Sequence, residues 1–211
     1  VKSCGVYPLI NAMTQTDDEE YQVTRCPSKL EDVKEQTSRI CLAAVRGNGM
    51  MLRFVKEQNQ EICLAALKET SWALGHVKEQ TPEMCLEAVQ DCALVLRYVR
   101  KQTPEICLQA VRYYGLSLRF VQEQTPEICL EAVRQHGCAL QYVKEQTSQI
   151  CLEAVKNRGY ALEYVKEQTF QICISAMAQD ERFPENVKIP LEISLKNFLS
   201  YLNEIPSLLF H

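Results

Sequence analysis

The sequence predicts an all-α fold, a right-handed-type α-solenoid of paired short helices with capping helices at both ends. Three observations predict it. A phrase recurs every 22 residues without insertion or deletion, that phrase carries a helix-start signature, and the terminal segments depart from the pattern. Val-Lys-Glu-Gln-Thr, with small changes, begins at Val33, Val55, Val77, Val99, Val121, Val143 and Val165. The consensus unit reads V-K-E-Q-T-P-E-I-C-L-E-A-V-x-x-x-G-x-A-L-x-Y. A fixed period of this size marks a repeat architecture, in which each unit buries its apolar face against its neighbours.

The first helix of each unit announces its start. Thr81, Thr103 and Thr125 stand where a hydroxyl can accept from free backbone N–H groups. Pro82, Pro104 and Pro126 follow, at the helical position where a missing N–H does no harm. Glu83, Glu105 and Glu127 then place negative charge in the first turn, which the helix dipole favours. In the fifth unit Glu127, Glu131, Arg134 and Gln135 fall on one narrow polar stripe, and Ile128, Cys129, Leu130, Ala132 and Val133 cover the rest. Such a helix is buried on most sides. Gly137 follows it, as Gly49, Gly115 and Gly159 do in their units, and reads as a left-handed C-cap.

The second helix comes after that glycine. Ala139, Leu140, Tyr142 and Val143 are apolar, and Gln141, Lys144 and Glu145 lie opposite, the pattern of an amphipathic helix of roughly two to three turns. A period of 22 also falls in the range of leucine-rich repeats, but those need an L-x-L strand and an asparagine ladder, and neither recurs. Organisation follows: residues 1–32 form an N-terminal cap with a degenerate repeat, 33–177 a seven-fold array, and 178–211 a C-terminal cap, all in one continuous solenoid. Upstream, Thr16-Asp17-Asp18-Glu19-Glu20 reads as a capped acidic helix start, and Ser28 to Val33 as its partner helix. Downstream, Pro190 to Ile205 reads as a longer amphipathic helix that covers the last repeat or, alternatively, docks on a further C-terminal domain or a partner.

The phrases V-K-E-Q-T-P-E-I-C-L-E-A-V and G-C-A-L-Q-Y-V-K-E-Q-T resemble a short (22-residue) helical-repeat family of unknown function, found in giant amoebal viruses and amoeba-associated bacteria, over roughly residues 28–177. The resemblance implies arrays of short helical repeats and a life inside or against a eukaryotic host cell. It brings no catalytic residue and no ligand.

Bulk properties narrow the function classes. The chain of 211 residues has 46% hydrophobic and 24% charged residues and a net charge of −4. A nucleic-acid binder usually carries a basic footprint, so nucleic acid is disfavoured as a partner. No apolar run of the length needed to span a bilayer is present, and no signal peptide is visible. Eleven cysteines are present, seven of them at one repeat position: Cys41, Cys63, Cys85, Cys107, Cys129, Cys151 and Cys173. Equivalent residues of stacked helices lie about 8–10 Å apart, and a disulfide needs Cα atoms within about 7 Å. The ladder therefore reads as small buried packing residues in a reducing, intracellular compartment, the host cytoplasm for a viral or secreted factor. Cys4 and Cys26 lie outside it, and their pairing stays open. No C-x-x-C, P-loop, dinucleotide-binding, nucleophile-elbow or H-E-x-x-H motif occurs, and neither metal nor cofactor is expected.

In a repeat array, function sits where residues vary against the repeated background. Arg53, Arg97 and Arg119 occupy one outward position of the second helix, with Gly75, Gln141 and Glu163 at the same position elsewhere. Tyr113 and Tyr114 replace small or polar residues, and tyrosine, tryptophan and arginine are the residues that most often anchor interfaces. Trp72 shares its position with Met50, Leu94, Leu116 and Tyr160 and reads first as a core filler, second as a contact. His76 replaces the aromatic residue of its unit, and His136 sits at a helix C-terminus where positive charge is welcome. The Lys-Glu pairs read as a solvated, mutually neutralising face. The leading expectation is a non-enzymatic protein–protein interaction scaffold, host-directed, whose partner is another protein and not a membrane. The alternatives are an enzyme or peptide-binding factor with one cleft near Trp72 and His76, and a nucleic-acid-binding solenoid working through the arginine row.

Overall fold

The chain's structure, a computed structural model, describes residues 15–179. Among these residues eight α-helices alternate with seven 3-10 helices, and there is no strand. The α-helices are α1 (Gln15–Arg25), α2 (Ser38–Gly47), α3 (Gln60–Glu69), α4 (Pro82–Asp91), α5 (Pro104–Tyr113), α6 (Pro126–Gln135), α7 (Ser148–Asn157) and α8 (Phe170–Met177). The 3-10 helices are η1 (Pro27–Asp32), η2 (Gly49–Phe54), η3 (Ser71–His76), η4 (Ala93–Tyr98), η5 (Gly115–Phe120), η6 (Gly137–Tyr142) and η7 (Gly159–Tyr164). They form two compact units, one of residues 15–91 with 98–100, the other of 92–97 with 101–179. In the first, α1, α2, α3 and α4 stack in series; in the second, α5 to α8 do, with η5, η6 and η7 abutting alongside. Each unit is thus a stack of helix pairs, the α-solenoid arrangement. The expected helix over Pro190 to Ile205 lies outside the described residues.

The α-helices start where the caps place them. Thr37, Asn59, Thr81, Thr103, Thr125, Thr147 and Thr169 each accept from the backbone N–H three residues on, at 2.9–3.5 Å. Such a cap stabilises a helix by about 1 kcal/mol. The apolar residues at the inward positions of α2 to α7 are then buried, as Ile128, Cys129, Ala132 and Val133 are in α6 and Met84, Cys85, Ala88 and Val89 in α4. An isolated helix of this length is marginal in water, so burial against neighbouring helices holds it.

Two expectations about the second helix need correction. It is a 3-10 helix rather than an α-helix: in η6 the N–H of Ala139 donates to the carbonyl of His136 (2.7 Å), and that of Val143 to Leu140 (3.1 Å). With three residues per turn, residues three apart lie over one another. Gly137, Leu140 and Val143 accordingly form one buried line, while Gln141 and Lys144 point outward. The glycine before it is not a left-handed cap, because none of the described glycines has a positive φ. It is required by close approach. A Cβ on Gly49, Gly115 or Gly137 would stand 2.4, 2.4 or 2.5 Å from the carbonyl oxygen of Ala66, Ala132 or Ala154 in the next α-helix.

The glutamine of V-K-E-Q-T ties consecutive repeats together. Gln146 Nε2 donates to the Leu140 carbonyl (3.4 Å) near the end of the preceding repeat and to the Tyr164 carbonyl (2.8 Å) at the end of its own. Its Oε1 accepts from the Lys166 backbone N–H at 3.0 Å. Gln36, Gln58, Gln80 and Gln102 make the same three bonds, as Gln36 does with Leu30, Phe54 and Lys56. The last carbonyl of a 3-10 helix, such as that of Tyr164, needs a donor that the short helix cannot provide, and the glutamine supplies it; the Leu140 carbonyl accepts from the glutamine in addition to the Val143 N–H. The lysine two residues earlier does related work. Lys144 Nζ donates to the Gln122 carbonyl (2.8 Å) and Lys166 Nζ to the Lys144 carbonyl (3.0 Å), one repeat back. The Lys-Glu face is exposed as expected, but its lysines reach for backbone carbonyls of the preceding repeat rather than for the adjacent glutamates.

Candidate functional site

In the first unit the outward line of η3 runs through Trp72 and Gly75 and continues to Lys78, three residues apart. Trp72 is 38% exposed, so it does not fill the core. The reading of Trp72 as a core filler fails on that exposure; at the same repeat position Met50, Leu94 and Leu116 are half-buried and Tyr160 is exposed, and only the small Cys138 is buried among the described residues. The Tyr98 ring meets Trp72 edge-on, with centroids 6.0 Å apart and planes at 74°. A Cβ at Gly75 would stand 3.1 Å from Tyr98 Cδ1, so the missing side chain lets Tyr98 lie against the backbone of η3. His76 is half-buried, and its carbonyl accepts from Gln58 Nε2 at 2.9 Å. Arg53 holds its guanidinium 4.4 Å above Phe54.

The same unit contains a groove of about 360 Å³ between α3 and α4, lined by Gln58, Asn59, Gln60, Cys63, Lys78, Glu79, Thr81 and Met84. Trp72 and His76 do not line it. The second unit has the equivalent groove twice, at about 170 and 150 Å³.

The second unit brings Arg97 and Arg119 together. Their guanidiniums lie 5.3 and 4.4 Å from the centre of the Phe120 ring, within the range of a cation–π attraction. Counting on by repeat, the same outward position holds Gln141 and Glu163, both exposed. Arg53 belongs to the other unit. Tyr113, the last residue of α5, is 61% exposed, and Tyr114, which joins it to η5, is 37% exposed. On the α-helical face an ion-pair ladder runs from Arg112 to Glu131 (3.0 Å), and from Arg134 to Glu153 (3.0 Å). Arg134 and Lys156 also approach Glu131 and Glu153 within their own helices. Exposed pairs of this kind add little to stability, because water and salt screen them.

The cysteine ladder is buried and unpaired, and burial pushes all seven thiols above the ordinary range. In the units of Cys41 to Cys151 the sulfur points at the glutamine Oε1, at 3.5–3.9 Å. A protonated thiol serves there as a weak donor and as a small apolar filler. Cys26 is exposed and contacts Ser28 Oγ at 3.2 Å, while Cys4 lies outside the described residues. His136 reverses its expectation. Burial, and then the charge of Arg158, hold its imidazole below the usual range, and its Nδ1 is buried without a hydrogen-bond partner. Desolvation outweighs the favourable helix terminus here.

Among the described residues no three or more His, Cys, Asp and Glu side chains are grouped to hold a metal ion, and no helix is long and apolar enough to cross a membrane. Sequence reasoning placed the outward arginines and the exposed tyrosines, but missed Tyr98 as the partner of Trp72 and missed the glutamine ladder. The signal for the ladder was present, since glutamine holds its place in all seven copies of the phrase.

A domain of unknown function, DUF4116, matches residues 103–147 and again 125–169, each match spanning two repeats and offset from the other by one. This part of the chain is similar to that domain. No curated protein and no solved structure matches the chain.

Proposed function

We propose that the chain is a non-enzymatic scaffold that binds another protein through the outward lines of its 3-10 helices and the tyrosines beside them. One observation carries this reading. Each repeat buries its own isoleucine, leucine, alanine and valine, yet large aromatics stay in solvent where the repeat does not require them: Tyr113 at 61%, Tyr160 at 41% and Trp72 at 38% exposed. Holding such side chains in water is unfavourable, and aromatic residues with arginine are the usual anchors of interfaces. The buried, protonated thiols favour a reducing compartment, and the resemblance to the amoebal repeat family favours a host protein as the partner.

The test is affinity capture under reducing conditions followed by binding of the purified captured protein. Wild type is compared with Tyr113→Ala/Tyr114→Ala and with Trp72→Ala, each checked for native helicity. Saturable binding that falls at least tenfold in one of the variants is expected. Equal binding by all three chains overturns the assignment of these surfaces, and turnover of the captured protein overturns the non-enzymatic reading.

A further inference from the structure

We propose that the second unit recognises an extended acidic peptide, with Arg97 and Arg119 on Phe120 as the receptor for its carboxylates and Glu163 as the receptor for a basic residue further along. The proposal rests on the scaffold reading and names its partner chemistry. Two guanidiniums converge on one ring in a chain whose net charge is −4, so this is a local positive feature on an acidic protein. The ring pre-orders both side chains, which lowers the entropy cost of closing on an anion. Guanidiniums also match carboxylate geometry through paired N–H donors.

The row then changes sign. Counting by repeat, it reads Arg97, Arg119, Gln141, Glu163, all exposed and all within one unit. The row therefore has a polarity, which selects for an asymmetric ligand rather than for negative charge alone. Stacked helices advance about 8–10 Å per repeat, and an extended peptide rises about 3.3 Å per residue. Two acidic residues roughly three positions apart would meet the arginines, and a basic residue roughly five to six positions further would meet Glu163. A uniformly anionic strand such as nucleic acid would place a phosphate against Glu163 and be repelled there.

The experiment uses the full chain and a fluorescein-labelled peptide of about ten residues, with two glutamates and one lysine at those spacings, read by anisotropy over a salt series. The control has the same composition with the lysine between the glutamates. Binding that weakens with salt, is at least tenfold tighter than the control, and falls at least tenfold in Arg119→Glu is expected. A peptide with lysine replacing the glutamate opposite position 119 restores binding to Arg119→Glu. That charge-swapped pair also shows that the variant is folded. Equal affinity for the control peptide, no loss in Arg119→Glu, failure of the swapped pair, or tighter binding of an oligothymidine strand overturns the proposal. If the peptide fails while the Tyr113 and Tyr114 substitutions still abolish partner binding, the scaffold reading stands and this inference falls.

Discussion

The junction between α3 and α4 in the first unit and the junction between α6 and α7 in the second differ at one residue that decides their width. In the second unit Gly137 lets the carbonyl of Ala154 come so close that any Cβ would stand 2.5 Å from it. The Gly137 N–H then donates to Asn157 Oδ1 at 2.7 Å, and Asn157 Nδ2 donates to the Arg134 carbonyl at 2.8 Å. In the first unit Ser71 stands where that glycine would be, and its hydroxyl donates to the Asp91 carboxylate. A Cβ at position 71 rules out the close backbone approach that Gly137 allows; α3 and α4 meet over less of their length, and the groove at their N-terminal ends is about 360 Å³ against about 150–170 Å³ in the second unit. Stacking distance is set by a backbone-to-backbone approach, and the residue after each α-helix tunes it.

The largest way to break the regular junctions is to remove a glutamine. Gln146→Ala leaves the Tyr164 carbonyl and the Lys166 N–H without their partner, while the Leu140 carbonyl keeps only the Val143 N–H. A loss of about 3 kcal/mol in denaturant unfolding is expected, from the unsatisfied Tyr164 carbonyl at about 1–3 kcal/mol and the other lost bonds at about 1 kcal/mol each or less. Next comes Gly137→Ala, which forces the Ala154 carbonyl away and costs about 2 kcal/mol by overpacking. Ser71→Gly works from the other side: it stays within about 1 kcal/mol of wild type, because one hydrogen bond is exchanged for closer packing, and a structure of the variant shows α4 closer to α3.

Two pH effects are smaller near neutrality. The ladder thiols have raised values in the fold, so the unfolded state loses its protons first as pH climbs past about 9, and stability falls on the alkaline side. The slope approaches about 1.4 kcal/mol per pH unit for each ionising thiol, and a Cys129→Ala/Cys151→Ala chain shows a shallower decline in urea midpoints. His136 works in the opposite direction and more weakly. Its folded value lies below its unfolded value of about 6.5, so the unfolded state takes the proton first, and stability falls as pH drops below about 6.5. Replacement by Gln flattens the decline between about pH 7 and 5, the window above carboxylate titration.

The period, the caps and the buried cysteines were legible because each repeats seven times in a fixed phrase. The 3-10 geometry was not. Over six residues a period of 3.0 and one of 3.6 drift apart by only about one position, and Ala139, Leu140, Tyr142 and Val143 satisfy both. The spacing of Gly137, Leu140 and Val143 held the answer, once the glycine is counted as part of the buried line rather than as the end of the helix before it. Trp72 was misread because its apolar counterparts Met50, Leu94 and Leu116 suggested a core slot, although a thin two-turn helix turns one of its three lines to solvent. The pairing of Arg97 with Arg119 needed the ring of Phe120, which sequence spacing alone does not place between them.

Amide hydrogen exchange at Lys144 and Lys166 tests the central claim that glutamine side chains zip each repeat to the next. Both residues are exposed, and both N–H groups donate to a glutamine Oε1 20 residues earlier in the chain, at 3.0 Å. Both amides should exchange slowly in the wild type, and Lys166 alone should lose its protection in Gln146→Ala. Exchange at the free-peptide rate in the wild type, or protection of Lys166 that survives the substitution, would contradict the account.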